Sequence, residues 1–115
     1  MKKTYGANWK NDANAKKNSS YTAAMYGDRW IGHWVTDCSG LFYWAFKELG
    51  GYMYHGSNTM WNKYCNSKGK LSNGKRTDGK TLLPGTAVFV LKTGSDRSHV
   101  GLYIGGDTVI EASGT

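Results

Sequence analysis

Between Asp37 and Gly51 the chain spells out a helix with both ends marked, and this segment constrains the rest of the fold most. Asp37 is a good N-cap, and Leu41, Phe42, Ala45, Phe46 and Leu49 recur on one face at helical spacing. Gly50-Gly51 then supplies the residues that close a helix. The spacing predicts a helix over 38–49. Beyond it the pattern turns to strands. Leu82-Leu83-Pro84-Gly85 reads as a turn, and Ala87 to Leu91 is an unbroken apolar run of the kind found in buried strands. Lys92 to Ser98 reads as a polar connection, followed by a hairpin of 99–104 and 108–112 around Gly105-Gly106-Asp107. One helix followed by an antiparallel β third gives an α+β domain.

The preceding and intervening segments are less regular. Residues 1–20 are polar and basic, expected as an arm or weak helix, with the folded domain running over 21–115. Residues 21–36 mix Tyr21, Met25, Tyr26, Trp30, Ile31, Trp34 and Val35 with glycines, an aromatic-rich loop packed on something. A second short helix is expected after Ser57-Asn58. Residues 66–80 read as a long, solvated basic loop that could rim a cleft. Trp30, Trp34, Trp44 and Trp61 are expected mostly in the core, and His33 and His55 among aromatics or in loops.

Composition narrows the function classes. With 115 residues the chain is one domain, and 5 Trp, 8 Tyr and 3 Phe are too large an apolar load for disorder. No window approaches the ~20 apolar residues of a membrane-crossing helix. Met1-Lys2-Lys3 resembles the start of a signal peptide, but no apolar stretch follows. An extracellular role therefore implies a longer parent chain. Fifteen Lys+Arg against eight Asp+Glu give a net charge of +7, which favours polyanionic partners. The bases cluster in 2–29 and 63–80 without any RNA-binding or zinc-finger signature, so no specific nucleic acid is implied. Two cysteines, Cys38 and Cys65, with no CxxC, argue against a disulfide framework and a structural zinc site. Cys65 reads as structural. No metal or cofactor is expected.

The register of the hairpin matters for chemistry. A turn centred on Gly105 sets Val100 opposite Ile110 and His99 opposite Glu111, and it gathers Val100, Leu102, Ile104 and Ile110 on one face. His99 and Glu111 are then cross-strand neighbours, with Cβ atoms about 5 Å apart. An ordinary thiol, with a pKa near 8.5, is mostly protonated at neutral pH. The start of a helix and a nearby imidazolium both favour the thiolate, and free N–H groups there can hold an oxyanion. A carboxylate on the far ring nitrogen fixes the tautomer of the base. The same residues are also those of a buried thiol and a surface His–Glu pair.

Two stretches resemble a known family. Asp37-Cys38-Ser39-Gly40-Leu41 opening an amphipathic helix is similar to the nucleophile motif of the NlpC/p60 cysteine peptidases. Pro84-Gly85 before a Val88-Phe89 strand, then His99-Val100-Gly101-Leu102-Tyr103-Ile104-Gly105, resembles that family's second signature in order and spacing. The likeness covers about 21–115. It implies a papain-like fold with the nucleophile helix packed on a small antiparallel sheet. Cys38 would be the nucleophile, His99 the base and Glu111 the orienting residue. Position 111 is more often His in the family, and an acidic residue there resembles the related CHAP amidases. Tyr26 lies at a fitting distance upstream to bind substrate or oxyanion, and Ser39 and Asp37 flank the nucleophile in the same role. Asp37 is also an anion beside the thiol, which opposes its ionisation.

The resemblance implies hydrolysis of peptidoglycan stem peptides, typically between D-glutamate and a diamino acid. The expected location is extracellular or in the cell wall, with anionic wall polymers as further partners and flanking domains in a longer chain. Family members usually continue with one or two strands past the third residue, so truncation or pairing with another chain is expected. A non-catalytic wall-binding module of the same fold is the rival reading, and an amidase or acyltransferase is a variant within the fold.

Overall fold

The computed structural model describes residues 2–3 and 33–112. The expected arm over 1–20, apart from Lys2-Lys3, and Tyr26, Trp30 and most of the aromatic-rich segment lie outside the described residues. The chain divides into two units, Met1–Thr36 with Gly114–Thr115, and Asp37–Ser113. In the first, β1 (Lys2–Lys3) pairs antiparallel with β2 (Trp34–Val35). The expected loop therefore ends in a short strand, and Trp34 is exposed instead of buried in a core.

The second unit opens with α1 (Cys38–Glu48). The Asp37 side chain accepts a hydrogen bond from the Gly40 N–H at 2.7 Å, as an N-cap should. At the other end Gly51 donates to the Phe46 carbonyl and Gly50 to that of Lys47. With Gly50 at φ +80°, this is the Schellman closure the paired glycines announce. The apolar face is only partly used. Leu41, Phe42 and Ala45 are half-buried, whereas Phe46 is exposed and Leu49 stands 87% exposed. Trp44 is likewise exposed instead of in the core.

The expected second helix is present as α2 (Ser57–Thr59), which runs directly into a π-helical turn, Met60–Tyr64. Met60 is buried. Trp61 sets its ring edge-on to Phe89 with centroids 5.4 Å apart, and the Arg97 guanidinium lies 3.9 Å over its face. The expected loop over 66–80 contains a hairpin, β3 (Leu71–Ser72) with β4 (Lys75–Arg76). Asn73 and Gly74 join them at φ 51° and 77°, the left-handed pair of a type I′ turn. Arg76 clasps Asp78 just beyond and holds that carboxyl below its usual range.

The main sheet has three antiparallel strands, β5 (Ala87–Thr93), β6 (Asp96–Gly105) and β7 (Thr108–Ile110), with β6 central. Residues 92–98 belong mainly to these strands, so the polar connection expected there shrinks to a turn at Gly94-Ser95. The apolar run of β5 is not uniformly buried either, because Val90 and Leu91 are exposed on this edge strand. Both α1 and α2 pack against β6. Ser57 donates to the Arg97 carbonyl, and Asn58 bonds the Asp96 carboxylate and the Arg97 N–H, fastening α2 to the start of β6. The deepest side chain, Val100, lies at the middle of that strand.

The last hairpin departs from the expected register. Its turn is Gly106-Asp107, with φ 58° and 57°, and a bulge between Tyr103 and Gly105 absorbs one residue. Leu102 consequently faces Ile110, a shift of two positions from the Val100–Ile110 pairing argued from the sequence. A shift of two keeps every side chain on its face. Ile104 and Ile110, expected together on the apolar face, are half-exposed.

Candidate functional site

Cys38 is the first residue of α1, half-buried, with its thiol free. Its two neighbours on the motif are differently placed. Asp37 is exposed and caps the helix, while Ser39 is 4% exposed. Backbone N–H groups of a first helical turn have no carbonyl partners within the helix, and here the Asp37 side chain meets that of Gly40. Among the described residues, Cys38 makes no hydrogen bond to His99, the residue expected to act as its base.

His99 sits on β6 opposite Val90, next to the buried Val100. Its Nε2 lies 2.6 Å from Glu111 Oε2. An ionised carboxylate only accepts, so the proton of this bond belongs to Nε2, and the neutral ring keeps its lone pair on Nδ1. The structure thus brings His99 and Glu111 together by a route other than the one expected. They are diagonal neighbours instead of directly opposed, since extending the β6–β7 register places Glu111 beside Gly101. Gly101 makes that diagonal possible. A Cβ there would stand 2.6 Å from Val109 Cγ1 and 3.3 Å from the Glu111 Cβ. The glycine between His99 and the hydrophobic end of the strand therefore leaves the space across which the glutamate reaches.

A second imidazole–carboxylate pair stands at the start of α1. His55 Nε2 lies 2.7 Å from Asp37 Oδ1. No periodic signal marks it in the sequence, where His55 reads as a residue among aromatics or in a loop. One signal was available. Eleven helical residues rise about 16 Å, and the six extended residues after Leu49 span about 20 Å, so a chain reversed at Gly50-Gly51 just regains the helix start at His55. His33 is exposed, in the other unit. Cys65 is half-buried, and burial pushes its thiol up while Lys68 pulls it partly back. Among the described residues no group of three or more His, Cys, Asp or Glu side chains could hold a metal ion, and no helix is long and apolar enough to cross a membrane.

A cysteine that opens a helix packed on the strand of a His–carboxylate pair is the layout of a papain-like α+β fold. The family model of the NlpC/P60 family matches residues 13–115, and the chain belongs to that family. Its members are generally cysteine peptidases, and membership supports a hydrolase acting on cell-wall material. No curated protein and no solved structure gives a significant match.

Proposed function

We propose that the protein is a cysteine endopeptidase that cuts the stem peptides of bacterial peptidoglycan, at the bond between D-glutamate and the diamino acid. The observation that carries this reading is the 2.6 Å bond from His99 Nε2 to Glu111, which orients the ring and leaves Nδ1 as the basic nitrogen. Nδ1 takes the thiol proton, and Cys38 Sγ attacks the peptide carbonyl. The oxyanion that forms is met by N–H groups at the start of α1, with Ser39 contributing through its backbone. His99 then returns its proton to the leaving amine as the C–N bond breaks, giving a thioester on Cys38. Water, deprotonated by His99, attacks the thioester and releases the acid. Asp37 and Tyr26 are the side chains assigned to substrate. Glu111 stabilises the imidazolium in both halves of the cycle.

A net charge of +7 supports action outside the membrane at an anionic wall, where wall polymers concentrate a basic enzyme. The test is mass spectrometry of fragments released from purified peptidoglycan. New amino termini on the diamino acid, lost with Cys38→Ala, are expected. Sedimentation with the wall and no soluble fragments would make the protein a binding module, and products joined to an added amine would make it an acyltransferase.

A further inference from the structure

The pair at the head of α1 has a geometry that an incidental surface contact does not require. Asp37 Oδ1 accepts the Gly40 N–H at 2.7 Å and the His55 ring at 2.7 Å, so both donors converge on one oxygen. The carboxylate cannot turn without breaking both bonds. The His55 ring also lies beside Tyr43, with centroids 6.3 Å apart and the rings tilted by 32°. Tyr43 itself belongs to α1, so His55 is braced against this helix both before and after Cys38.

We infer that His55 is a positioning residue for the Cys38 reaction, acting through Asp37. The inference rests on the reading of Cys38 as nucleophile. An N-cap alone holds a helix end without fixing an exposed side chain in one rotamer. The second donor supplies that restraint. What His55 fixes is the first turn of α1: the cap, the sulfur that follows it and the N–H groups that face the oxyanion. Misplacing such a group by 1 Å costs on the order of 100-fold in rate.

The experiment is a double-mutant cycle on the full chain. The readouts are the rate of iodoacetamide capture at Cys38, which needs no substrate, together with kcat/KM on a soluble muropeptide and the melting temperature. His55→Ala is expected to slow both rates by roughly tenfold, a loss well short of the 100-fold bound. His55→Gln, whose side-chain amide keeps an N–H where the ring had Nε2, should regain most of the loss. Asp37→Ser keeps a helix cap but no carboxylate. In that background His55→Ala should change neither rate. Rates within twofold of the parent for His55→Ala, or an equal fall with and without the carboxylate, would overturn the inference. Fragment release that survives Cys38→Ala overturns the nucleophile reading instead, and the alkylation rates still decide whether His55 acts on the thiol through Asp37.

Discussion

Two histidines in this unit bond a carboxylate through Nε2 at nearly the same distance, 2.6 Å for His99 and 2.7 Å for His55. Their surroundings differ. His99 is fixed on the central strand, beside the most buried residue of the sheet, and its side chain is 23% exposed. His55 lies between α1 and α2 with 53% of its side chain exposed, and its carboxylate already serves a helix cap. The contact alone therefore does not assign a role. The ring on a rigid strand, with a free nitrogen on the other side, is suited to carry a proton. The ring on an irregular segment, bound to a cap, is suited to hold something else still.

The sharpest way to break this distinction is to remove each ring in turn. His99→Ala takes away the base and the acid proposed for both half-reactions, and a loss of about 100- to 10,000-fold in kcat is expected. The loss expected for His55→Ala is far smaller. Steady-state rates on the same muropeptide measure both. Equal losses would mean that the pairs act as one unit, and a larger loss at His55 would exchange their roles.

Glu111 sharpens the comparison from the acceptor side. Glu111→Gln keeps an oxygen that accepts from Nε2 but withdraws the charge that stabilises imidazolium. A fall of about 10- to 100-fold in kcat is expected in steady-state rates on the same muropeptide. Glu111→His restores a ring-nitrogen acceptor of the kind commoner in the family and should exceed Glu111→Gln in activity. An unchanged kcat in both variants would leave Glu111 as a surface carboxylate.

The contrast between the pairs also shows what the sequence could reveal. Alternation along 99–104 and 108–112 placed His99 and Glu111 on one face, and the structure keeps them there. The direct pairing failed because two glycines and an aspartate can all take positive φ, so turn and bulge positions are degenerate at Gly105-Gly106-Asp107. Parity survived the error because the true shift is two. Asn73-Gly74 carried the strongest short hairpin signal in the chain, yet the polar residues around it have no alternation to read. His55 has no periodic partner at all. Its carboxylate lies 18 residues back, and only the helix reversal brings the two together. Leu49 and Trp44 expose the opposite limit, since periodicity marks a face without saying how much of it a small sheet can cover.

Gly101 tests whether the His99 pair depends on strand geometry. Gly101→Ala inserts a Cβ against Val109 and Glu111, and overpacking of this kind costs about 1–3 kcal/mol. Thermal unfolding should show the loss. If Glu111 is the part that yields, activity should fall toward that of Glu111→Gln while the His55 pair stays intact. A melting temperature and rate matching the parent would mean that Val109 alone moves aside.

The smallest effect concerns the thiol that belongs to neither pair. Burial raises the Cys65 thiol above its ordinary range, and the nearby Lys68 ammonium offsets part of that rise. At a fixed pH a raised value means less thiolate, so iodoacetamide should reach Cys65 slowly at neutrality and faster as the pH climbs. Lys68→Ala removes the lowering influence, and about a twofold further slowing is expected for one screened charge. Peptide mass spectrometry after a short alkylation pulse at several pH values reads both cysteines in one sample. Cys65 thereby serves as the internal reference for the two histidine pairs. A change in global opening alters both thiols together, whereas loss of His55 or His99 should alter Cys38 and leave the Cys65 profile where it was. Parallel movement of the two profiles in His55→Ala would mean that the ring supports the fold as a whole and not the head of α1.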